Sequence, residues 1–455
     1  MTDALKLPFA GEDRVRRLSA NLKEPKWLLG DRLAAFKSYL DLPIETNNLF
    51  TLYVDLRLAR FAEIDPYEET TEAPQVADVV PEGASALIEV AEDKVVARAL
   101  SAEAKSAGVV IDTFANVLRN RPELLREALD GGTTLPANDK FAQFARSHSA
   151  LGVLIHIPRN AALEKPIVVR WAAGEPGRGL VSRMLIDVGE NASVSVLEEQ
   201  LPTDSHAEAA SETQPQSLWW GTTEVRLAEG ANLNFAAQQD FGPNTLAFVN
   251  RHATLQKDAQ LNWALASVGA QIHKSRIDNH LVGRGSGVRQ VEIGFGGGRQ
   301  LFDATSYTRH IGADTTGDLL SKGVFLDRAR GYYKGMITIE KTARGTDSFL
   351  GEFAMLMSKQ ARSVTIPSLE IDQPDVRRAS HASSVGPVDE TQVFYLMSRG
   401  LPREVARKFI VLGFLEPVVS RIPLGDAQDR LRRLLEEKWP ASTELDAIGK
   451  SEAAA

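Results

Sequence analysis

Short apolar segments that alternate with polar residues dominate the chain from residue 150 to about residue 372. They include GVLIHIP, PIVVRW, RMLIDV, SVSVLEE, EVRLAE, NLNFAA and QLNWALA, and Gly, Asn or Asp residues punctuate them. Alternation with a period of two is typical of β-strands, and the punctuating residues favour tight turns. We therefore predict that strands fill the middle of the chain.

These predicted strands follow a repeat. Residues 186–199, 224–237 and 253–266 align as strand, polar turn, small residue and strand. After a longer first step the pattern recurs every 27 to 31 residues, roughly, a length typical of stacked solenoid coils. A solenoid leaves unpaired strand edges at its ends, and these edges must be capped or paired.

Helical patterns flank the predicted strands. Apolar residues recur at helical spacing between Gly11 and Asp41, and short helices are expected at Val95–Ser106 and Pro122–Ala128. Residues 61–93 hold ten Asp or Glu residues, three prolines and no Lys or Arg. This composition predicts an acidic, partly extended linker.

The last part of the chain carries clear helix boundaries. Asp389 with Gln392 resembles a capping box, Gly400 is placed to end that helix, and Pro402 is placed to begin the next. Another amphipathic helix is predicted at Asp426–Trp439. The predicted regions are an N-terminal helical region with an acidic linker at 1–147, a solenoid at 148–384, a C-terminal helical domain at 385–440 and a disordered tail at 441–455.

Composition and charge exclude several classes of protein. The 455 residues are 43% hydrophobic and 25% charged, which is ordinary globular composition. The net charge of −8 provides no general basic field, so nucleic acid is not an expected partner. The sequence has no secretory apolar core and no apolar run approaching the roughly 20 residues of a membrane span. We expect a cytoplasmic protein that does not associate with membranes.

Cysteine is absent from the whole sequence, which excludes disulfides, thiolate nucleophiles and metal sites held by the chain's own sulfur. The sequence contains no HExxH metal motif and no GxSxG nucleophile motif. Gly283, Gly285 and Gly287, and the GFGGG run at 294–298, do not continue as a phosphate-binding loop and are interpreted as turns. We therefore predict that the chain is not an enzyme.

One enzymatic alternative is a β-helical polysaccharide lyase, which uses acidic residues and arginine in an outer groove with calcium. The residues that could imitate such a groove are Asp303, Arg309, Asp314, Asp318 and Arg328. Lyases of this kind are usually secreted, and the sequence lacks a signal peptide. Solvated turn charges are therefore the better interpretation of these residues.

Two long C-terminal stretches strongly resemble the SufB/SufD family of iron–sulfur cluster assembly scaffolds. They are SYTRHIGADTTGDLLSKGVFLDRARGYYKGMITI (306–339) and PSLEIDQPDVRRASHASSVGPVDETQVFYLMSRGL (367–401), and residues 152–169 and 27–44 are also similar. The resemblance implies a mainly β fold with flanking α-helices. Its core would be a right-handed parallel β-helix.

Within this family the chain is most similar to the SufD branch. The SufB branch usually has a cysteine in the segment matching 356–367 and a glutamate directly after the histidine matching His381. This chain has Ala361 and Ala382 at those positions. The SufD branch often reads Cys-Ser-His-Gly where this chain has Ala379, Ser380, His381 and Ala382, which argues against a direct sulfur role for this strand.

The resemblance implies that the chain is a non-catalytic subunit that pairs with a SufB-like subunit. The candidate pairing edge is VTIPSLEI, with Val364, Ile366, Leu369 and Ile371 as contacts. His381 is the candidate ligand for iron or for a nascent iron–sulfur cluster at this interface. One imidazole cannot hold a cluster, so the cluster would be transient and the other ligands would come from the partner.

The resemblance also implies that the C-terminal helices dock a SufC-like ATPase, which would bind ATP and Mg. The candidate docking residues are Phe394, Arg399, Gly400, Phe409 and Phe414. A reduced flavin in the complex and a homodimer of the isolated chain are further expectations.

Three alternatives stay open. The aromatic residues of the C-terminal helices could pack on the solenoid instead of on a partner. The chain could be a SufB-like scaffold that builds a cluster on its own homodimer, although it has no cysteine. It could also be a solenoid interaction protein without metal chemistry.

Overall fold

A computed structural model describes Leu5 and residues 7–130, 135–203, 214–422 and 425–439. The tail predicted to be disordered at 441–455 lies outside these residues. The helices of the described part are α1 (Glu12–Asn21), α2 (Lys26–Asp41), α3 (Ala102–Ser106), α4 (Phe114–Asn120), α5 (Pro122–Asp130), α6 (Lys140–His148), α7 (Glu390–Ser398), α8 (Arg403–Val419) and α9 (Gly425–Lys438). Short 3₁₀ helices lie at Thr51–Tyr53 and Phe61–Glu63. Within the described residues no helix is both long enough and apolar enough to cross a bilayer.

Strands account for most of the remaining chain. The strands are β1 (Asp65–Pro66), β2 (Thr71–Ala77), β3 (Ala86–Ala91), β4 (Lys94–Leu100), β5 (Val110–Thr113), β6 (Leu151–Ile157), β7 (Ile167–Ala172), β8 (Arg178–Val188), β9 (Ser193–Leu201), β10 (Ser217–Leu227), β11 (Asn232–Gln239), β12 (Thr245–Leu255), β13 (Gln260–Ser267), β14 (Ile272–Leu281), β15 (Gly287–Gly296), β16 (Leu301–His310), β17 (Thr316–Phe325), β18 (Arg330–Ile339), β19 (Asp347–Leu356), β20 (Arg362–Ile371) and β21 (Arg378–Pro387).

Strands β6 to β21 form a parallel β-solenoid of eight coils, counted over the described residues, with two strands in each coil. The even-numbered strands stack into one sheet and the odd-numbered strands into a second sheet. Each strand pairs in parallel with the strand two further along the chain. The predicted β-solenoid core with flanking helices is confirmed, and its right-handed sense stays a prediction.

Alternation along each strand sends one set of side chains into the interior between the sheets. In the early coils this interior holds large rings such as Trp171, Trp219, Phe235 and Trp263, each at most 1% exposed. Such rings bury large apolar areas, which is the main driving force that holds stacked coils together.

One corner of the stack explains the polar turns of the sequence repeat. Seven residues at this corner have positive φ: Asn160, Asn191, Gly230, Asp258, Gly285, Asp314 and Gly345. Backbone N–H groups link each of these turns to the next, as when Gly285 donates to Ala313 O at 3.0 Å. From Asn191 onward, an asparagine or aspartate in one coil alternates at this corner with a glycine in the next coil. A Cβ on Gly285 would overlap the carboxylate of Asp258 in the preceding coil.

We expect Gly285→Ala to destabilise the protein by about 1–2 kcal/mol, because it adds left-handed backbone strain and forces the exposed Asp258 carboxylate to turn away from the new Cβ. Gly83→Ala is the matched control, since Gly83 has φ +86° but open space around the added Cβ. That variant should lose only about 1 kcal/mol. Urea unfolding of both variants measures the difference, and equal losses would contradict crowding at the corner.

The acidic stretch at 61–93 is not a linker, so the prediction made for it is wrong. It contains β1, β2 and β3, and β3 pairs in parallel with β7 and antiparallel with β4. Ala86, Ile88 and Val90 are buried, while acidic residues of the stretch find partners, as when Glu89 pairs with Arg170 at 2.8 Å. Pairing with distant strands thus overrides the acidic composition.

The helix predicted at Val95–Ser106 is also mostly a strand, because β4 occupies Lys94–Leu100 and only the short α3 follows. Strands β3, β4 and β2 extend the second sheet, and β5 pairs antiparallel with β6 in the first. These strands cap the starting end of the solenoid. The helix predicted from Pro122 is confirmed as α5.

Helices cover the outer faces of both sheets. Phe141 and Phe144 of α6 pack on Trp220 and Phe248 of the first sheet. Helices α7, α8 and α9 pack on the second sheet, and Val393, Val411 and Leu431 share one buried cluster with Val291 and Phe295.

The predicted helix boundaries of this C-terminal part are confirmed. The Asp389 side chain accepts the Thr391 N–H at 2.8 Å, and Gly400 follows α7 with φ +91°. The helices therefore lie beside the solenoid and leave its final coil uncovered.

Candidate functional site

The final coil presents two free strand edges. In the described part of the chain, β20 pairs only with β18, and β21 pairs only with β19. Each strand has ten residues, so each edge carries a row of unpaired backbone donors and acceptors. Free edges of this length are templates for pairing with another chain. We call this surface, formed by β20 and β21, the terminal edge.

The four residues of the predicted pairing edge all lie on β20, but on two different faces. Val364 lies beside Tyr332, which packs under the N-terminal helices, so Val364 and Ile366 face outward. Leu369 and Ile371 face the interior and continue its apolar core. Ile371 is 45% exposed in the uncovered coil. Both faces of the strand would thus meet a partner that covers the end.

His381 lies on β21 at the mouth of the solenoid. It is in register with Leu350, a buried core residue, and its neighbour Ala379 packs against the same core. Strand alternation therefore places the exposed imidazole on the interior side, where the next coil would stack. Among the described residues no three histidine or carboxylate side chains are arranged to hold a metal ion.

The two positions that distinguish the SufB branch lie close to this end. Ala361 is completely buried with Phe325 and Tyr333, and Ala382 is half-buried on β21 beside His381. Neither side chain can ligate a metal.

The helix candidates divide into two groups. Phe394 and Phe409 are 71% and 59% exposed, and Arg399 lies over the Tyr395 ring next to Gly400, which ends α7. The Phe414 ring instead packs towards the solenoid, with Lys322 Nζ 4.5 Å from the ring centre and 2.7 Å from the Phe414 carbonyl oxygen. For Phe414 the alternative of packing on the solenoid therefore describes the structure better.

Sequence reasoning missed part of the exposed apolar surface. Tyr395, Met397 and Val405 are exposed beside Phe394 and Phe409, and we call these five residues the helix patch. The signal was present in the sequence, because VFYLM places apolar residues on both faces of one short helix, and only one face can meet the solenoid.

The residues that could imitate a lyase groove are not brought together. Asp303 is buried on the first sheet between Lys274 and Lys334, whereas Asp318 lies on the second sheet. Asp314 is in a corner turn, paired with Arg284 and Arg377. These charges serve the packing of coils and turns.

Fold and terminal edge together define a β-solenoid protein with helix-covered sides and one open end. Residues 170–414 match the SufBD core domain of the SUF system for FeS cluster assembly. The match spans more than half of the chain. The chain therefore belongs to the SufBD family.

Two relatives extend the likeness over nearly the whole chain. The iron–sulfur cluster assembly protein SufD of Bacillus subtilis is 26% identical over 94% of this chain and 97% of its own length. An iron–sulfur cluster assembly SufBD family protein of Staphylococcus haemolyticus is 26% identical over 95% of this chain and 93% of its own length. The family predicted from the C-terminal motifs is therefore confirmed.

Proposed function

We propose that this chain is a SufD-like, non-catalytic subunit that pairs end to end with a SufB-like subunit and carries a SufC-like ATPase. The terminal edge is the observation that supports the proposal most directly. A partner solenoid could add strands to β20 and β21 and continue both sheets. It would also cover Leu369 and Ile371, which complete the interior core. The similarity to the SufD protein of Bacillus subtilis supports the same role.

In this arrangement His381 offers one imidazole nitrogen to iron or to a nascent cluster. Because this chain has no cysteine, thiolate ligands must come from the SufB-like partner. The cluster is cargo that the two subunits share and pass on. ATP and Mg bind to the SufC-like subunit. A reduced flavin is a further possible component of the complex, and its binding would not require a cysteine of this chain.

The helix patch is the proposed docking surface for the SufC-like ATPase. It lies beside the solenoid, so an ATPase bound there leaves the terminal edge free. Large exposed aromatic side chains such as Phe394 and Phe409 are typical anchors of protein interfaces. A homodimer of the isolated chain would use the same edge as the SufB-like partner.

We expect two sets of substitutions to separate the two interfaces. Val364→Lys with Ile371→Lys should abolish binding of the SufB-like subunit, because charged lysines on an edge strand prevent pairing. Phe394→Glu with Phe409→Glu should weaken binding of the SufC-like ATPase at least about tenfold. Co-purification of the tagged full chain with both proteins from the same genome measures this, and each variant is the control for the other.

His381→Ala is the third variant of the experiment. It should retain both partners and lower the yield of cluster assembled on the reconstituted complex. The proposal fails if either double variant loses binding of both partners. It also fails if either double variant keeps binding both. Unchanged cluster yield with His381→Ala would leave a solenoid interaction protein without metal chemistry as the better interpretation.

A further inference from the structure

A short segment of the N-terminal region lies on the outward face of the first sheet, close to the terminal edge. It comprises residues 49–53 and ends in a 3₁₀ helix, and we call it the N-terminal arm. Phe50 is completely buried, and the centre of its ring lies 5.8 Å from that of Tyr307 on β16. The centre of the Tyr53 ring lies 6.2 Å from that of Tyr332 on β18. The arm therefore advances along the sheet towards β20.

Hydrogen bonds hold the arm in one conformation. The Asn47 side chain accepts the Leu49 N–H at 3.0 Å, and the Asn47 carbonyl oxygen accepts the Thr51 hydroxyl at 3.0 Å. The Asn47 N–H donates to the buried Glu45, whose carboxylate accepts the Tyr307 hydroxyl at 3.4 Å. Because the arm is already ordered, a partner that binds it pays little conformational entropy.

The arm exposes two leucines, although its aromatic residues are packed. Leu49 is 55% exposed and Leu52 is 87% exposed, the highest value for a large apolar side chain in the described part of the chain. Tyr332, which the arm covers, is in register with Val364 of β20. Val364 and Ile366 are half-buried on the outward face of that strand. Apolar surface therefore continues from the arm to the terminal edge, and grouped apolar side chains of this kind mark interaction sites.

The side chains around the arm carry a surplus of positive charge. Arg57 and Arg330 share the carboxylate of Asp55, at 2.7 Å and 3.2 Å. Arg362, at the start of β20, is in register with Arg330 and is exposed. Within the described residues it donates to two backbone carbonyl oxygens and to no carboxylate. Three arginines and one aspartate leave two positive charges, so the surface that meets the arm should carry acidic side chains.

The size of the terminal edge indicates that a stable pair needs more surface than its two strands supply. A ten-residue strand is roughly 33 Å long and packed sheets lie about 10 Å apart, so the end of one coil covers roughly 330 Å². Twice this area, to allow for side-chain relief, is still below about 800 Å², the area that each partner buries in a typical stable interface. The arm lies beside this end and can supply further contact.

We propose that the N-terminal arm is a second contact of the end-to-end pair, in which Leu49 and Leu52 pack on the outward face of the partner strand that adds to β20. This inference rests on the pairing proposed above. Neighbouring strands lie about 4.8 Å apart, so the added strand would lie roughly 10 Å from β18, where the arm is anchored. The strand that fits has an apolar outward side chain beneath the leucines and an acidic residue near Arg362. The arm thus selects a partner by side chains that backbone pairing does not read.

Photocrosslinking tests the position of the arm, because the chain has no cysteine and Leu52→Cys introduces a single thiol. The full-length variant is labelled with benzophenone-maleimide, mixed with the SufB-like subunit from the same genome and irradiated. We expect a crosslink to the terminal strand of that subunit, in a peptide that contains Asp or Glu. Val79→Cys is the matched control. Val79 is 71% exposed but follows β2 at the starting end of the solenoid, so it should give no crosslink to that strand.

A binding titration measures what the leucines contribute. Leu49→Ser with Leu52→Asp should weaken the affinity for the SufB-like subunit at least about tenfold. Val79→Asp is the control and should bind like the wild type. Both variants should melt at the wild-type temperature, because the substituted side chains are exposed.

The outcomes separate this inference from the pairing on which it rests. If the wild type does not bind the SufB-like subunit, the pairing itself fails and the inference fails with it. If Val364→Lys with Ile371→Lys abolishes binding but Leu49→Ser with Leu52→Asp binds as tightly as the wild type, the pairing stands and the inference is overturned. A crosslink from position 52 to another part of the SufB-like subunit, or no crosslink to it, would also overturn the inference.

Discussion

Asp303→Asn is expected to destabilise the protein by about 3–5 kcal/mol, the range for breaking a buried ion pair. Asp303 lies 3.2 Å from Lys274 Nζ and 2.6 Å from Lys334 Nζ, and all three side chains are nearly inaccessible. Burial alone would raise the pKa of Asp303, but the two lysines outweigh it and hold the pKa below its usual value. Asparagine would leave two buried ammonium groups facing each other without a countercharge.

Urea unfolding of the variant measures this loss, and Asp314→Asn is the matched control. Asp314 also contacts two cations, Arg284 and Arg377, but in an exposed corner turn. Exposed pairs contribute at most about 1 kcal/mol. A similar loss in both variants would mean that burial of the lysines does not determine the effect. Lys334→Met added to Asp303→Asn should recover part of the stability, since it removes one of the two unpaired charges.

The protein is expected to lose much of its stability between pH 6.5 and pH 5. Among the histidines that the structure describes, four are buried, and burial lowers the pKa of His148 and His273 to about 3 and that of His252 and His310 to about 4. An unfolded histidine has a pKa near about 6.5, so the unfolded chain binds more protons below that pH. The stability that the four neutral imidazoles contribute is therefore fully present above about pH 6.5. It is lost as the pH falls towards 4 and 3. At pH 5 the loss is about 2 kcal/mol for each histidine.

Urea unfolding at pH 7.5 and pH 5.0 measures the difference. The two ring nitrogens of His310 form hydrogen bonds with the hydroxyls of Thr315 and Ser348 inside the solenoid. His310→Gln should reduce the loss of stability between the two pH values by about 2 kcal/mol. His381→Gln, at an exposed position, is the matched control for the substitution itself and should change the stability at pH 7.5 very little. Stability that does not change between the two pH values would contradict the burial of these imidazoles.

Glu292 and Glu352, which are buried inside the solenoid, act in the opposite direction. Their raised pKa values mean that the folded chain binds more protons than the unfolded chain between about pH 4.5 and pH 8. The stability that they contribute is present below about pH 4.5 and is lost as the pH rises through 7 and 8. Together with the four histidines, Glu292 and Glu352 should confine the maximum stability of the chain to a narrow pH interval near neutrality.

The solenoid could be predicted from sequence because its signals are local. Alternation marks strands such as β6 and β9, and the corner residues Asn191 and Asp258 mark turns that must have positive φ. Strands β2 and β3 were missed because their stability comes from β4 and β7, which no local pattern can reveal. The acidic residues and prolines of this stretch are typical of a linker, and they outweigh its short apolar run in any reading of the sequence alone.

The candidate site was only partly predictable. His381 was identified through the family resemblance, but its position at the interior mouth follows from its register with Leu350. The exposure of Phe409 and the packing of Phe414 depend on which helix face meets the solenoid, and hydrophobic spacing alone did not decide this.

The unequal ends of the solenoid limit how many copies can join. At the starting end, each sheet finishes in a short edge strand, β5 in the first sheet and the exposed β2 in the second. An antiparallel pair, β5 with β6 and β3 with β4, interrupts the parallel pattern of the coils before each edge. If two such solenoids join through β20 and β21, both open coils are used and the short strands β2 and β5 become the outermost edges. Stacking of a further coil on these edges is disfavoured, because the antiparallel pairs break the parallel pattern that a new coil would continue. A mutation that removed the closing strands would create a molecule able to grow from both ends.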